Sequence, residues 1–310
     1  MVSPIPISPA PTRGLDPQAL FAIRDLELRA RVVIEGLWAG LQRSPFTGFS
    51  VEFTEYRPYS PGDDLRHLDW RALARTDRHY LKQFEDETNL RCQLLVDASQ
   101  SMTFGSTGVS KAQYARTLAA TLGYFLLKQR DVVGLATFAD GLIDVLPARW
   151  RRGQWRHLLA LLERTSTARD TRLDRALDQS APRWRRRSII VIISDFLSPV
   201  SEWESALGRI AAAGHDVRAV QILDPVELTL DFGRTAVWVD IENGRTLYVD
   251  PLQARDGYLR RFSSHQNEVR QALQRRGIAH VVATLDKPLD FVLADLIRGS
   301  GAARKLRRRR

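Results

Sequence analysis

One cysteine, Cys92, stands among 310 residues, so the chain can form neither an internal disulfide nor a cysteine-based zinc site. The residues after it, Gln93-Leu94-Leu95-Val96, read as an apolar strand, which predicts a buried and unreactive thiol. Long hydrophobic runs are missing too. Stretches such as Ser188 to Ile193 fall far short of the roughly 20 apolar residues that cross a bilayer, and no charged-then-apolar signal opens the chain. These absences predict a cytoplasmic protein without a membrane span. The six histidines are scattered, which speaks for surface or packed positions over metal ligation. Neither Gly-x-Ser-x-Gly nor His-Glu-x-x-His occurs, which removes the simplest serine-hydrolase and metalloprotease readings. The stretch from Gly105 to Lys111 lacks the adjacent Gly-Lys and following hydroxyl of a phosphate loop. No internal repeat is visible.

What is present is enough for a large core, at 44% hydrophobic residues. The formal charge is +10, and more than half of that excess sits in the six basic groups between Arg304 and Arg310. Such a tail reads as a solvated end, or as a docking arm for an acidic partner. Pro4, Pro6, Pro9, Pro11 and Gly14 deny the amino terminus regular hydrogen bonding. The expected organisation is a disordered leader over 1–14, an amino-terminal extension over 15–90, an α/β domain over 91–300 and a basic tail over 301–310.

Apolar residues from Leu20 to Leu41 recur at helical spacing and predict one amphipathic helix, capped by Asp16 before Pro17. Residues 50–56 alternate as a half-exposed strand does. From Arg91 onward, short apolar runs alternate with helical patterns, the signature of parallel strands joined by crossover helices. Predicted strands cover 92–96, 132–138, 142–146 as an edge, 189–193, 217–223 and 278–283. Predicted helices cover 112–127, 155–162, 173–177, 203–213, 258–275 and 291–297. Residues 237–249 read as a hairpin turning at Asn243-Gly244. The run Ile189 to Ile193 is aliphatic on both faces, so it belongs in the middle of the sheet.

The first central strand ends in Asp97-Ala98-Ser99-Gln100-Ser101, an acid and two hydroxyls at alternate positions. In a doubly wound sheet, ligands collect at the carboxyl ends of strands near a switch in strand order. The strand at 189–193 also ends in a hydroxyl and an acid, Ser194 and Asp195, and Thr171 precedes a helix between the two. Oxygens without imidazole or thiolate favour a hard cation, Mg²⁺ before zinc, with Mn²⁺ or Ca²⁺ as alternatives. Taken alone, Asp-x-Ser-x-Ser is equally a turn. An aspartyl nucleophile of the haloacid-dehalogenase type needs a second Asp where Ser99 stands.

These residues resemble the metal-ion-dependent adhesion site of von Willebrand factor A domains: Asp-x-Ser-x-Ser, then a Thr, then an Asp after a hydrophobic strand. The resemblance assigns Ser99, Ser101 and Thr171 as direct hydroxyl ligands of the metal, with Asp97 and Asp195 contacting it directly or through water. Phe196 follows Asp195 where adhesion domains have Gly. A second signature runs through Arg57, Tyr59, Gly62, Asp63, Asp64, Arg66, Asp69, Trp70 and Arg75. It is similar to that of the domain-of-unknown-function 58 family, with a von Willebrand factor A-like doubly wound, mostly parallel sheet, helices on both faces and an amino-terminal helix and strand extension. The oxygen-only constellation points to a noncatalytic module whose ion grips an acidic side chain on a protein partner, and the resemblance implies that it works with a MoxR-type AAA+ ATPase. The signature's acids and arginines read as an ion-pair network or a docking surface, and Trp70 as an anchor. Arg149-Trp150-Arg151-Arg152 and Arg183-Trp184-Arg185-Arg186-Arg187 keep nucleic-acid binding open as an alternative. A metal-assisted hydrolase lacks a visible general base.

Overall fold

The computed structural model describes residues 15–43, 56–58, 80–82, 90–164, 171–231, 236–239, 246–249 and 251–296. Two compact units emerge: Met1–Gly40 with Leu90–Arg310, and Leu41–Asn89. In the smaller unit, β1 (Tyr56–Pro58) and β2 (Tyr80–Lys82) pair antiparallel, with Arg57 opposite Leu81. Of the strand expected over 50–56, only Tyr56 lies within the described residues.

The larger unit contains α1 (Pro17–Ala22) and, as far as Gly40, α2 (Leu26–Arg43), where one helix was expected. The break has a local cause. Ile23 leaves the helix with extended backbone, and Asp25 starts the next one by accepting the Leu28 N–H at 2.8 Å. The Asp16 cap with Pro17 behind it forms as expected. The apolar periodicity survives the break, because Leu20, Leu26, Ala30, Val33, Ile34 and Leu37 all enter the same core as the sheet.

That sheet is built from β3 (Arg91–Asp97), β4 (Val132–Phe138), β5 (Leu142–Arg149), β6 (Ile189–Ser194), β7 (Asp216–Leu223) and β10 (Ala279–Thr284). The order is β10-β7-β6-β3-β4-β5, parallel throughout except for the antiparallel edge strand β5. Between β7 and β10, β8 (Ala236–Val239) and β9 (Thr246–Val249) pair as the expected hairpin; its Asn243-Gly244 turn lies outside the described residues.

Each central strand is apolar on both sides, and alternate residues divide between two cores. Leu94 and Val96 face one core with Val191 and Ile193, covered by α2, α3 (Lys111–Lys128), α4 (Gln154–Leu162) and helical residues 289–296. Leu95 faces the other core with Ile190 and Ile192, covered by α5 (Leu173–Ser180), α6 (Val200–Ala212) and α8 (Pro251–Arg275). The short α7 (Pro225–Thr229) follows β7. No helix among the described residues is long and apolar enough to cross a membrane.

Cys92 is 1% exposed on β3, and burial pushes its thiol up to about 12. At neutral pH the native protein should therefore leave this thiol unlabelled by iodoacetamide, while the denaturant-unfolded chain takes up one label. Rapid labelling of the native protein would show that the first core opens locally.

Candidate functional site

Strands β3 and β6 are parallel neighbours in the register Val96 to Ile193, so the residues that follow, Asp97 and Ser194, emerge side by side at the carboxyl edge. β3 leads through α3 to β4 on one side, while β6 lies on the other, so this is the switch point of the sheet. Asp97, Ser194 and Asp195 are all at most 2% exposed.

Asp97 is held from two directions. Its Oδ1 accepts the Ser99 N–H at 2.9 Å, and its Oδ2 accepts the Ser194 hydroxyl at 2.6 Å. The Ser99 and Ser101 hydroxyl oxygens lie 3.1 Å apart. Neighbouring ligands of an octahedral Mg²⁺ with bonds of about 2.1 Å sit about 3 Å from one another, so this pair has the separation the ion demands. Burial first, then the nearby charge of Asp195, pushes the Asp97 carboxyl up to about 7, against the lowering effect of the Ser194 and Ser99 hydrogen bonds. Two buried acids of like sign are the electrostatic condition that a cation relieves.

Thr171 arrives by a different route. The next residue, Arg172, donates its N–H to the Ala139 carbonyl at 2.7 Å, just past the end of β4, which brings Thr171 to the same edge of the sheet as Asp97. Residues 165–170 lie outside the described set. Among the described residues no three or more His, Cys, Asp or Glu side chains gather as a metal cluster. The donor set is thus two carboxylates and several hydroxyls, suited to a hard ion that keeps part of its water.

Two charged residues at this site are not evident from the sequence, in which Asp97 and Asp195 stand out as the core charges. Lys111, fully buried, places Nζ 2.9 Å from Asp195 Oδ2 and 2.7 Å from Glu227 Oε1. Burial works against its charge, and the two carboxylates more than offset that, so its pKa rises. Burial also raises the Glu227 pKa, with Lys111 opposing the rise. Both positions are set by capping boxes. Ser110 and Gln113 put Lys111 in the first turn of α3, and Asp224 with Glu227 itself opens α7. A signal was available: a lysine in the first turn of a helix works against the helix dipole and implies a nearby acid.

Phe196, where adhesion domains have Gly, takes φ +54, a left-handed conformation that is costly for a bulky residue. It is compensated by position. The ring is 1% exposed and meets Trp203 edge-on at 5.5 Å, the N–H donates to Ser194 Oγ at 3.1 Å, and His265 Nε2 lies 2.8 Å from the carbonyl oxygen. The turn after Asp195 is therefore anchored in the second core.

Of the remaining signature residues, Arg57 lies on β1, while Tyr59, Gly62, Asp63, Asp64, Arg66, Asp69, Trp70 and Arg75 lie outside the described residues. The two Arg-Trp segments differ in structure. Trp184 is 8% exposed and packs on His215, whereas Trp150 is 55% exposed with its indole N–H donated to the Leu127 carbonyl.

The Phe196 arrangement can be tested by substitution. Phe196→Gly relieves about 1 kcal/mol of backbone strain but gives up an aromatic burial of about 3–5 kcal/mol. Urea unfolding should show a net loss of roughly 2–4 kcal/mol. A stabilised variant would mean that strain, not packing, dominates this turn.

Residues 55–268 match the family described as "Protein of unknown function DUF58". An uncharacterized protein of Mycobacterium tuberculosis is 32% identical over 295 residues, covering 94% of this chain and 91% of its own. Among solved structures, the conserved hypothetical protein BatB from Bacteroides thetaiotaomicron aligns with a TM-score of 0.43 at 16% identity, over 67% of this chain and 99% of that one. The SpRpn10 VWA domain aligns with a TM-score of 0.39 at 11% identity, over 65% and 92% respectively.

Proposed function

Because the chain belongs to the DUF58 family and folds as a von Willebrand factor A-like α/β domain, we propose that it is a noncatalytic, metal-dependent protein-interaction module. The observation that carries this reading is the pair of buried carboxylates, Asp97 and Asp195, at the ends of adjacent parallel strands, beside two serine hydroxyls at 3.1 Å.

Asp97, Ser99, Ser101, Thr171 and Asp195 would hold Mg²⁺, or a similar hard dication, directly or through water. The ion supplies a Lewis-acidic contact for an acidic side chain brought by a partner protein. The chain's own groups prepare for it. Ser194 and the Ser99 N–H orient Asp97, Lys111 orients Asp195, and Phe196 pins the turn that follows. Asp97 has both oxygens engaged by donors inside the protein and Asp195 has one, an arrangement that favours holding an ion over activating a water. The family resemblance makes a MoxR-type AAA+ ATPase the partner to test first, and a cytoplasmic location goes with that proposal.

Thermal melts test the site. An ion present at about 100 times its Kd should stabilise the fold by about 2.7 kcal/mol, a rise of roughly 5–10 °C for a unit of this size. Asp97→Asn removes one of two like buried charges, so the ion-free variant should be at least as stable as the parent while its Mg²⁺ response disappears. An unresponsive parent protein, or a variant that still responds fully, would defeat the reading. Capture of a MoxR-type AAA+ ATPase should weaken in the same variant.

A further inference from the structure

The side-chain geometry around Asp195 bears on which ion the site accepts. Each buried acid already has an oxygen committed inside the protein. Asp97 Oδ2 accepts from Ser194 at 2.6 Å, Asp97 Oδ1 from the Ser99 N–H at 2.9 Å, and Asp195 Oδ2 from Lys111 at 2.9 Å. The remaining Asp195 oxygen, Oδ1, has only a long 3.3 Å contact with the Leu197 N–H. A carboxylate in this state offers one oxygen, not two.

We infer that Lys111 is a specificity-determining residue of the cation site: by occupying Oδ2 of Asp195 it blocks the two-oxygen binding mode that Ca²⁺ readily uses and leaves a site suited to Mg²⁺. This rests on the metal-site reading above. Mg²⁺ takes single oxygens in a tight octahedron and keeps several waters, whereas Ca²⁺ takes six to eight oxygens and often chelates a carboxylate with both. The same ammonium adds a positive charge beside the incoming ion, so it weakens the site for every dication.

Lys111 cannot easily move aside. It is fully buried, anchored on its other side by Glu227 at 2.7 Å, and lies 5.9 Å over the Phe104 ring. Glu227 is itself fixed, since its second carboxylate oxygen accepts the Asp224 N–H at 2.8 Å. Asp224, fully buried, binds both the N–H and the hydroxyl of Ser106 in the loop leading to α3. The lysine therefore sits in a closed set of bonds. A buried ion pair of this kind is often no more stabilising than apolar residues of similar volume, so stability alone does not account for it.

Three variants separate charge from the blocked oxygen, with Mg²⁺ and Ca²⁺ affinities read by isothermal titration calorimetry on the full chain. Lys111→Met should bind both ions more tightly, by about tenfold or more, with the larger gain for Ca²⁺. Glu227→Gln keeps the lysine on Asp195 and removes a nearby negative charge, so both ions should bind more weakly with their ratio unchanged. The double variant Lys111→Met, Glu227→Gln has the net charge of the parent and leaves no unpaired partner of the lost lysine at position 227, which protects the fold. It should keep the shift toward Ca²⁺ that Lys111→Met shows.

A double variant with the parent's Ca²⁺ to Mg²⁺ ratio would overturn the inference while leaving the metal site in place. So would Lys111→Met, confirmed as folded by circular dichroism, if it binds both ions less tightly. If the parent binds neither ion, the metal-site reading falls and the inference falls with it.

Discussion

Two carboxylates buried side by side constrain everything else at the carboxyl edge of this sheet. Parallel pairing of β3 with β6 forces Asp97 and the Ser194-Asp195 pair together, and the two cores on either face of the sheet keep water away. Like charges withdrawn from water repel strongly, and the molecule answers with hydroxyls, a backbone N–H and a buried lysine. The carboxyl of Asp97 is pushed up to about 7, by burial first and then by Asp195, so the protein's own donors do not fully offset the two together.

The supports of this arrangement are ordinary local devices placed with consequence. Two capping boxes, one opening α3 and one opening α7, aim Lys111 and Glu227 at each other across the end of the sheet. A strained residue, Phe196, takes a conformation suited to glycine and is held there by an aromatic contact with α6 and a histidine of α8. Backbone strain of this kind persists only where packing over-determines it, and here the packing is that of the second core. The turn carrying Asp195 is thereby tied to helices of the second core.

The same contacts account for where the chain departs from the adhesion-site pattern it resembles. With glycine after Asp195, the turn is free to adopt its shape at little cost; with phenylalanine, the shape depends on Trp203 and His265. A lysine bonded to the second acid makes the site one with an internal occupant for one of its oxygens. These two features belong to this chain's side chains, and both act on Asp195.

Much of the architecture was legible in one dimension because its causes are local. Aliphatic runs such as Ile189 to Ile193 announce a doubly buried strand, helical periodicity announces the covering helices, and Asp-x-Ser-x-Ser after a strand announces oxygens turned to one place. Even so, the single helix read from Leu20 to Leu41 is two, because the chain's exit at Ile23 and the Asp25 cap outweigh an unbroken apolar pattern. What only the tertiary structure decided is which distant groups meet. Lys111 lies 84 residues from Asp195 and 116 from Glu227 along the chain, and no spacing rule relates them. Their meeting follows from strand order and from the directions in which two helices start. Sequence alone therefore determined the kinds of atoms at the sheet's edge, and long-range packing determined which of those atoms remain free to bind.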